Sequence, residues 1–141
     1  MPPTKAGDDS DFQPCLETAY RYLSLRPRSE LEVRTRLKRK GCSPASIDRV
    51  LAELRRQGFL DDSSFARFWM ENRQSFSPRS RTFLRMELRR KGVDNQVISE
   101  AVQDVDDEQN AYRAARKKLR KPLNIDYQEY RRSVGGFLRR R

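Results

Sequence analysis

The sequence contains no histidine, only two cysteines and no long hydrophobic run among its 141 residues. Without histidine the chain has no imidazole base, no Ser-His or Cys-His nucleophile and no Cys₂His₂ zinc site, which excludes much hydrolase chemistry. No apolar run approaches the roughly 20 residues that a membrane helix needs, and the polar, acidic start lacks the pattern of a secretory signal. We therefore expect a cytoplasmic, non-enzymatic protein with no membrane span.

Metal-ligating residue types are also sparse. Cys15 and Cys42 stand singly, 27 positions apart, which matches no CxxC ligand spacing and, in a cytosolic protein, predicts reduced thiols on apolar faces. The acidic residues between 104 and 108 lie where one helix ends and another begins, so N-capping explains them better than magnesium binding does. The sequence predicts no metal site and no cofactor.

Basic residues are abundant and unevenly placed. The chain has 31 Lys and Arg against 20 Asp and Glu, a net charge of +11, and 24 of the 31 basic residues are arginine. Residues 111–141 hold 11 basic and two acidic residues. The planar guanidinium suits bidentate pairing with phosphate or carboxylate, so we expect a polyanionic partner, with a merely solvated basic surface as the alternative. Self-repulsion at this charge predicts a monomer.

Apolar residues recur at helical spacing from Phe12 onward, and no strand-like alternation of useful length occurs. Glycines 41, 58 and 92 follow periodic segments, as C-terminal caps do. Residues 29–32 form a capping box, and Ser43, Asp62 and Asp94 are predicted N-caps. Together these signals predict eight helices, over 14–25, 30–40, 44–57, 63–75, 81–91, 95–104, 107–120 and 127–141.

An internal repeat divides the chain. A shift of 51 positions places Ser29 on Ser80, Leu37 on Leu88 and Gly41 on Gly92, so a three-helix unit is used twice, and a further shift of 50 begins a third copy. The predicted fold is all-α: tandem three-helix repeats in an elongated, curved array whose third repeat is incomplete. The predicted parts are a disordered leader (1–11), repeat 1 (12–59), repeat 2 (60–105) and a partial repeat 3 (106–141).

Four segments of the chain resemble the RecX family of bacterial regulators of the RecA recombinase: 26–30, 36–41, 58–66 and 86–93. In the third of these, Leu60-Asp61-Asp62 and Phe65-Ala66 lie between two helices that end in Lys-Gly. The resemblance covers about residues 15 to 141. It implies a helical-repeat protein that binds the RecA filament on DNA and modulates, mostly by inhibition, its strand exchange, ATPase and co-protease activities in DNA repair, recombination and the SOS response.

Two basic stripes and the C-terminal end are the candidate contact surfaces. Val33 and Leu37 on one helix, like Leu84 and Leu88 on its repeat copy, define a buried side, so the basic residues of those helices flank it or face away. Internal ion pairing or plain solvation is the alternative for each of these residues. The candidates for contact with the partner or DNA are Arg34, Lys38, Arg39, Arg85, Arg89, Arg90, Lys117, Lys118, Arg120, Lys121, Arg139 and Arg140.

Most aromatic residues fall on core-facing stripes, and Tyr22 and Tyr112 are the two expected to be exposed. The competing function is a direct DNA-binding protein whose units read a groove in the manner of helix-turn-helix modules. Residues 43–46 offer few side chains that could contact bases from the N-terminal turn of a recognition helix, whereas Asp94-Asn95-Gln96 is better suited. The sequence leaves open whether bare single-stranded DNA is itself a ligand.

Overall fold

The computed structural model describes residues 10–118, which form seven α-helices and no strand. This confirms the all-α prediction; the predicted eighth helix, over 127–141, lies outside the described residues. The helices are α1 (Phe12–Leu25), α2 (Glu30–Lys40), α3 (Pro44–Arg56), α4 (Asp62–Phe76), α5 (Arg81–Arg90), α6 (Asn95–Val102) and α7 (Asp107–Lys118). None of them is long and apolar enough to cross a membrane.

Two hydrophobic cores confirm the tandem arrangement of three-helix units. The first core lies among α1, α2 and α3 around Val33, Leu37 and Leu51, and the second lies among α4, α5 and α6 around Phe65 and Leu88. The helix pairs that pack most extensively all belong to one unit or the other. Each unit therefore buries its own apolar residues, and its contacts with the next unit are made by a small set of residues at one junction.

Local capping explains where the helices begin. Ser29 and Glu32 form the predicted capping box at α2, Ser43 caps α3 ahead of a proline, and Asp94 caps α6. The prediction for α4 is wrong by one residue, because Asp61 is the N-cap and Asp62 is the first helical residue. Asp61 can accept from the backbone N–H groups of the first turn, which frees the side chain of Asp62 for another helix.

The first aspartate of α4 caps α2 across the junction between units. Asp62 Oδ1 accepts a hydrogen bond from the backbone N–H of Glu30 at 2.9 Å. The same contact recurs one unit later, where Asp107 Oδ1, at the start of α7, accepts from the N–H of Arg81 at 2.7 Å. Helix α7 thus stands to the second unit as α4 stands to the first.

The prediction of two reduced cysteines is contradicted. Cys15 in the first turn of α1 and Cys42 in the turn between α2 and α3 form a disulfide, with their Cα atoms 6.2 Å apart. Their wide separation in sequence and the expected compartment argued for free thiols. The packing of α1 across α2 and α3 brings the two residues within the distance that a disulfide spans.

Candidate partner interface

A basic groove lies at the junction of the two units, between α2 and α5. Its volume is about 520 Å³, and its cationic lining comprises Arg36 and Arg39 from α2 together with Arg90 and Lys91 from the end of α5. The end of α1 forms another wall through Tyr22 and Leu25, and Leu31, Glu32 and Thr35 complete the lining. The structure therefore brings two of the predicted residues, Arg39 and Arg90, to one site.

The buried side of each second helix explains why these two arginines are exposed. Leu37 and Leu88 are fully buried in their respective cores, and a residue two positions further along a helix points away from that core. Arg39 and Arg90 occupy this position in their own units and are exposed. The close approach between the start of α2 and Gly92, in the turn that follows α5, then places both side chains on one groove.

That close approach depends on Gly92. A Cβ atom built on Gly92 would lie 2.7 Å from the Cβ of Leu31 in α2, a distance too short for any side chain at position 92. The backbone φ of Gly92 is 79°, a left-handed conformation that glycine adopts without strain. A residue without a side chain is thus required where the turn between α5 and α6 meets the start of α2.

Glu32 is the one acidic residue in the described lining of the groove, and its charge is compensated. It pairs with Arg26 at 2.6 Å and with Lys91 at 3.4 Å. Burial works against its ionisation, but the hydrogen bonds from Arg26 and the Ser29 backbone N–H outweigh burial and hold the pKa of Glu32 below its usual value. Glu32 therefore divides its single negative charge between Arg26 and Lys91.

Lys91 is held in place from a second side. Its Nζ lies 5.3 Å from the ring centroid of Trp69, over which Arg26 and Arg73 also lie, at 5.9 and 5.4 Å. Arg73 in turn pairs with Glu87 of α5. These contacts hold Lys91 at the junction between the two units.

The groove also has apolar surface. Leu25 is 77% exposed and Leu31 is 43% exposed on its rim. Tyr22, expected to be an exposed ring, is instead half-buried, with the Arg28 guanidinium 3.9 Å from its ring centroid, whereas Tyr112 is exposed as expected. The surface thus combines cations with leucine side chains, and Arg28 already covers the Tyr22 ring.

The other predicted contact residues lie elsewhere. Arg34 pairs with Asp48 of α3 at 3.2 Å, and Lys117 donates a hydrogen bond to the carbonyl of Ser75 at 2.9 Å. The remaining described candidates, which are exposed and do not line the groove, are Lys38, Arg85, Arg89 and Lys118. Four candidates lie outside the described residues: Arg120, Lys121, Arg139 and Arg140.

Sequence reasoning missed Arg36 and the leucines of the groove. Arg36 lies three residues before Arg39 on α2, a spacing that puts both on one helix face, so helical periodicity could have found it. Leu25 carries no such signal, because it reaches the groove only through the packing of α1 against α2.

The disulfide and the groove differ in the chemistry available to them. Within residues 10–118, metal-ligating side chains come together at Asp11, Cys15 and Cys42, and there the two sulfur atoms are bonded to each other. At the groove, guanidinium groups offer paired N–H donors to carboxylates or phosphates. The site can therefore hold an anionic macromolecule that also presents apolar surface.

Comparisons with known proteins agree with the repeat structure. The family model described as "RecX, first three-helix domain" matches residues 15–54, and the one described as "RecX, second three-helix domain" matches residues 61–102. "Regulatory protein RecX" of Amycolatopsis mediterranei (strain U-32) is 36% identical over 144 residues, covering 100% of this chain and 82% of that protein. "Regulatory protein RecX" of Prosthecochloris aestuarii is 40% identical over 124 residues, covering 88% of this chain and 81% of that protein.

Two crystal structures share the fold. That of a regulatory protein RecX superposes with a TM-score of 0.69 at 21% identity and covers 91% of this chain. This chain spans 64% of that structure's length, which is less than two thirds. The crystal structure of RecX from Lactobacillus salivarius superposes with a TM-score of 0.71 at 18% identity, covering 92% of this chain and 86% of the other.

Proposed function

The chain belongs to the RecX family of regulatory proteins, and from that premise we propose that it is a non-enzymatic regulator of the RecA recombinase. In this proposal it binds the filament that the recombinase forms on single-stranded DNA and modulates, mostly by inhibition, its recombinase, ATPase and co-protease activities. Binding acts through differential affinity: a ligand that prefers one filament conformation shifts the filament toward that conformation.

The observation that carries the proposal is the convergence of Arg39 and Arg90 on one groove. The two arginines come from equivalent positions of two repeats. Within residues 10–118 neither has an ion pair with an acidic side chain. Two exposed guanidinium groups beside leucine side chains fit a protein surface that carries carboxylates and apolar groups.

Direct DNA binding is the second candidate, and one helix favours it. The N-terminus of α6 exposes Asp94, Asn95 and Gln96, and asparagine and glutamine can pair with adenine in a major groove. The N-terminus of α3 lacks such exposure, because Ser43 and Ser46 are buried.

A charge-reversal pair tests the proposal. We expect Arg39→Glu/Arg90→Glu to weaken inhibition of the DNA-dependent ATPase of the cognate RecA recombinase by about tenfold or more, as loss of central interface residues does. The control Arg85→Glu/Arg89→Glu makes the same change in net charge on residues that are exposed and outside the groove. We expect the control to stay close to the unaltered chain.

The assay uses the chain at ratios too low to coat the DNA, at two salt concentrations. Equal losses in both variants, in an effect that disappears as salt rises, would identify a polyelectrolyte bound to DNA and would contradict the proposal. An unaltered chain that leaves the ATPase unchanged at every such ratio would also contradict it.

A further inference from the structure

The disulfide between Cys15 and Cys42 cross-links the start of α1 to the turn between α2 and α3, within the core of the first unit. Cys15 lies in the first turn of α1, and Cys42 follows the last turn of α2. The first turn of α1 is also fastened through Asp11, which accepts hydrogen bonds from the backbone N–H and the hydroxyl of Ser43, at 2.9 and 3.0 Å, and from the hydroxyl of Ser46. Arg49 lies 4.0 Å from the ring centroid of Phe12.

The same surroundings suit the reduced state. Asp11 Oδ2 lies 3.7 Å from Cys15 Sγ, within the distance at which a thiol donates a hydrogen bond. The hydrogen bonds from Ser46 and Ser43 hold the pKa of Asp11 below its usual value, so the acceptor stays ionised. A reduced Cys15 thiol thus has an acceptor already in place.

Access to the sulfur atoms is limited. Cys15 is 3% exposed and Cys42 is 8% exposed. A reagent therefore reaches them when the first turn of α1 opens, and the contacts of Asp11 and Phe12 with α3 control that opening.

We propose that Cys15 and Cys42 form a reversible thiol–disulfide site that responds to a low-molecular-weight thiol such as glutathione, and whose oxidation fastens the start of α1 to the turn between α2 and α3. In reduction, a thiolate attacks one sulfur of the pair and displaces the other cysteine as a thiolate, which takes up a proton. A second glutathione thiolate then attacks the glutathione sulfur of the mixed disulfide and releases the cysteine that was attacked first. Two thiols become one disulfide, and the pair gains two electrons and two protons.

The proposal does not depend on the proposed function, because the state of the two cysteines is measured on the chain by itself. It nevertheless bears on the groove, since α1 carries the disulfide in its first turn and the groove residues Tyr22 and Leu25 near its end.

Thiol counting on the full chain tests the proposal. The chain is equilibrated at a series of ratios of reduced to oxidised glutathione in the presence of a metal chelator, quenched in acid and alkylated, and its free thiols are counted by intact mass. We expect two species, one with no free thiol and one with two. Their proportions should follow the ratio of reduced to oxidised glutathione, whether the chain starts reduced or oxidised. Stable glutathione adducts, disulfide-linked dimers or a chain fixed in one state at every ratio would each overturn the proposal.

Amide hydrogen exchange tests whether the bond fastens α1. We expect exchange in the first turns of α1 and α3 to be slower by about tenfold or more in the oxidised chain, because the cross-link suppresses local opening. Amides of α4 to α6 serve as an internal control and should exchange equally in both states. Equal exchange at the start of α1 would overturn the proposal.

A serine variant provides the matched control. Cys15→Ser/Cys42→Ser should exchange like the reduced chain in either buffer, because it has no sulfur to oxidise. A redox-dependent change that persists in this variant would show that the effect has another origin and would overturn the proposal. The main comparison uses the unaltered chain and does not depend on the folding of the variant.

Discussion

Asp62 stabilises a helix to which it does not belong. Its carboxylate accepts the backbone N–H of Glu30 at the start of α2, one of the N–H groups that a helix cannot satisfy internally. Burial, and then the neighbouring charge of Asp61, raise the pKa of Asp62 above its usual value. The site therefore uses the oxygen of this side chain as an acceptor and accommodates its negative charge less well.

Two substitutions separate the acceptor from the charge. Asp62→Ala removes the acceptor, and we expect it to lower the free energy of unfolding by about 1 kcal/mol, as the loss of a cap does. Asp62→Asn keeps an acceptor oxygen and removes the charge. Because the pKa of Asp62 is raised in the folded chain, the folded chain loses stability as pH rises from the unfolded pKa through the raised pKa, where this carboxyl ionises. We therefore expect Asp62→Asn to be at least as stable as the unaltered chain at pH 7.

Urea denaturation of the three proteins at pH 7 measures these differences. Equal destabilisation by alanine and asparagine would show that the hydrogen bond to Glu30 contributes nothing. A large loss with asparagine alone would show that the negative charge itself is required, contrary to the direction of the pKa shift.

At the scale of helices, α2 and α5, the second helices of their units, are both followed by a glycine with positive φ, but the two glycines have different neighbours. Gly41 follows α2 with φ of 93° and Gly92 follows the end of α5 with φ of 79°. A Cβ at Gly41 would meet no atom within 4 Å, whereas a Cβ at Gly92 would lie 2.7 Å from that of Leu31. The pair therefore separates the cost of the left-handed backbone from the cost of contact between units.

We expect Gly41→Ala to cost about 1 to 2 kcal/mol for the left-handed backbone. Gly92→Ala should cost roughly 1 to 3 kcal/mol more, because the new methyl group overlaps Leu31 and one unit must shift relative to the other. Denaturant unfolding of both variants gives the comparison. Equal costs would mean that the junction yields freely and that Gly92 does not set the position of α5 against α2.

The helices and most of their caps could be predicted because their signals are local. The spacing of Val33 and Leu37 and the Ser29 capping box depend on residues within two turns of each other. The role of Asp62 and the pairing of Cys15 with Cys42 could not be predicted, because each joins positions 27 or more residues apart. For the groove, exposure of Arg39 and Arg90 followed from periodicity, but their convergence depends on packing between units.

At the scale of the whole molecule, net charge and groove chemistry favour different classes of partner. A charge of +11 attracts any polyanion, and such attraction weakens as salt rises. The exposed leucines beside Arg39 have no counterpart in a phosphodiester backbone but do match a protein surface. The two kinds of partner can therefore be told apart by an uncharged substitution at the groove.

Leu25→Ser is that substitution. Because Leu25 is 77% exposed at the end of α1, serine should leave the free energy of unfolding within about 0.5 kcal/mol of the unaltered value. If the groove binds a protein surface of the filament, inhibition of the recombinase ATPase should weaken about threefold to tenfold, while affinity for bare single-stranded DNA, measured by fluorescence anisotropy, stays unchanged.

The control Phe76→Ser removes a side chain that is 73% exposed and outside the groove, and it should alter neither quantity. A loss of inhibition in both variants would assign the effect to general surface change, whereas unchanged inhibition in Leu25→Ser would mean that the apolar rim does not touch the partner and that the arginines act by charge alone.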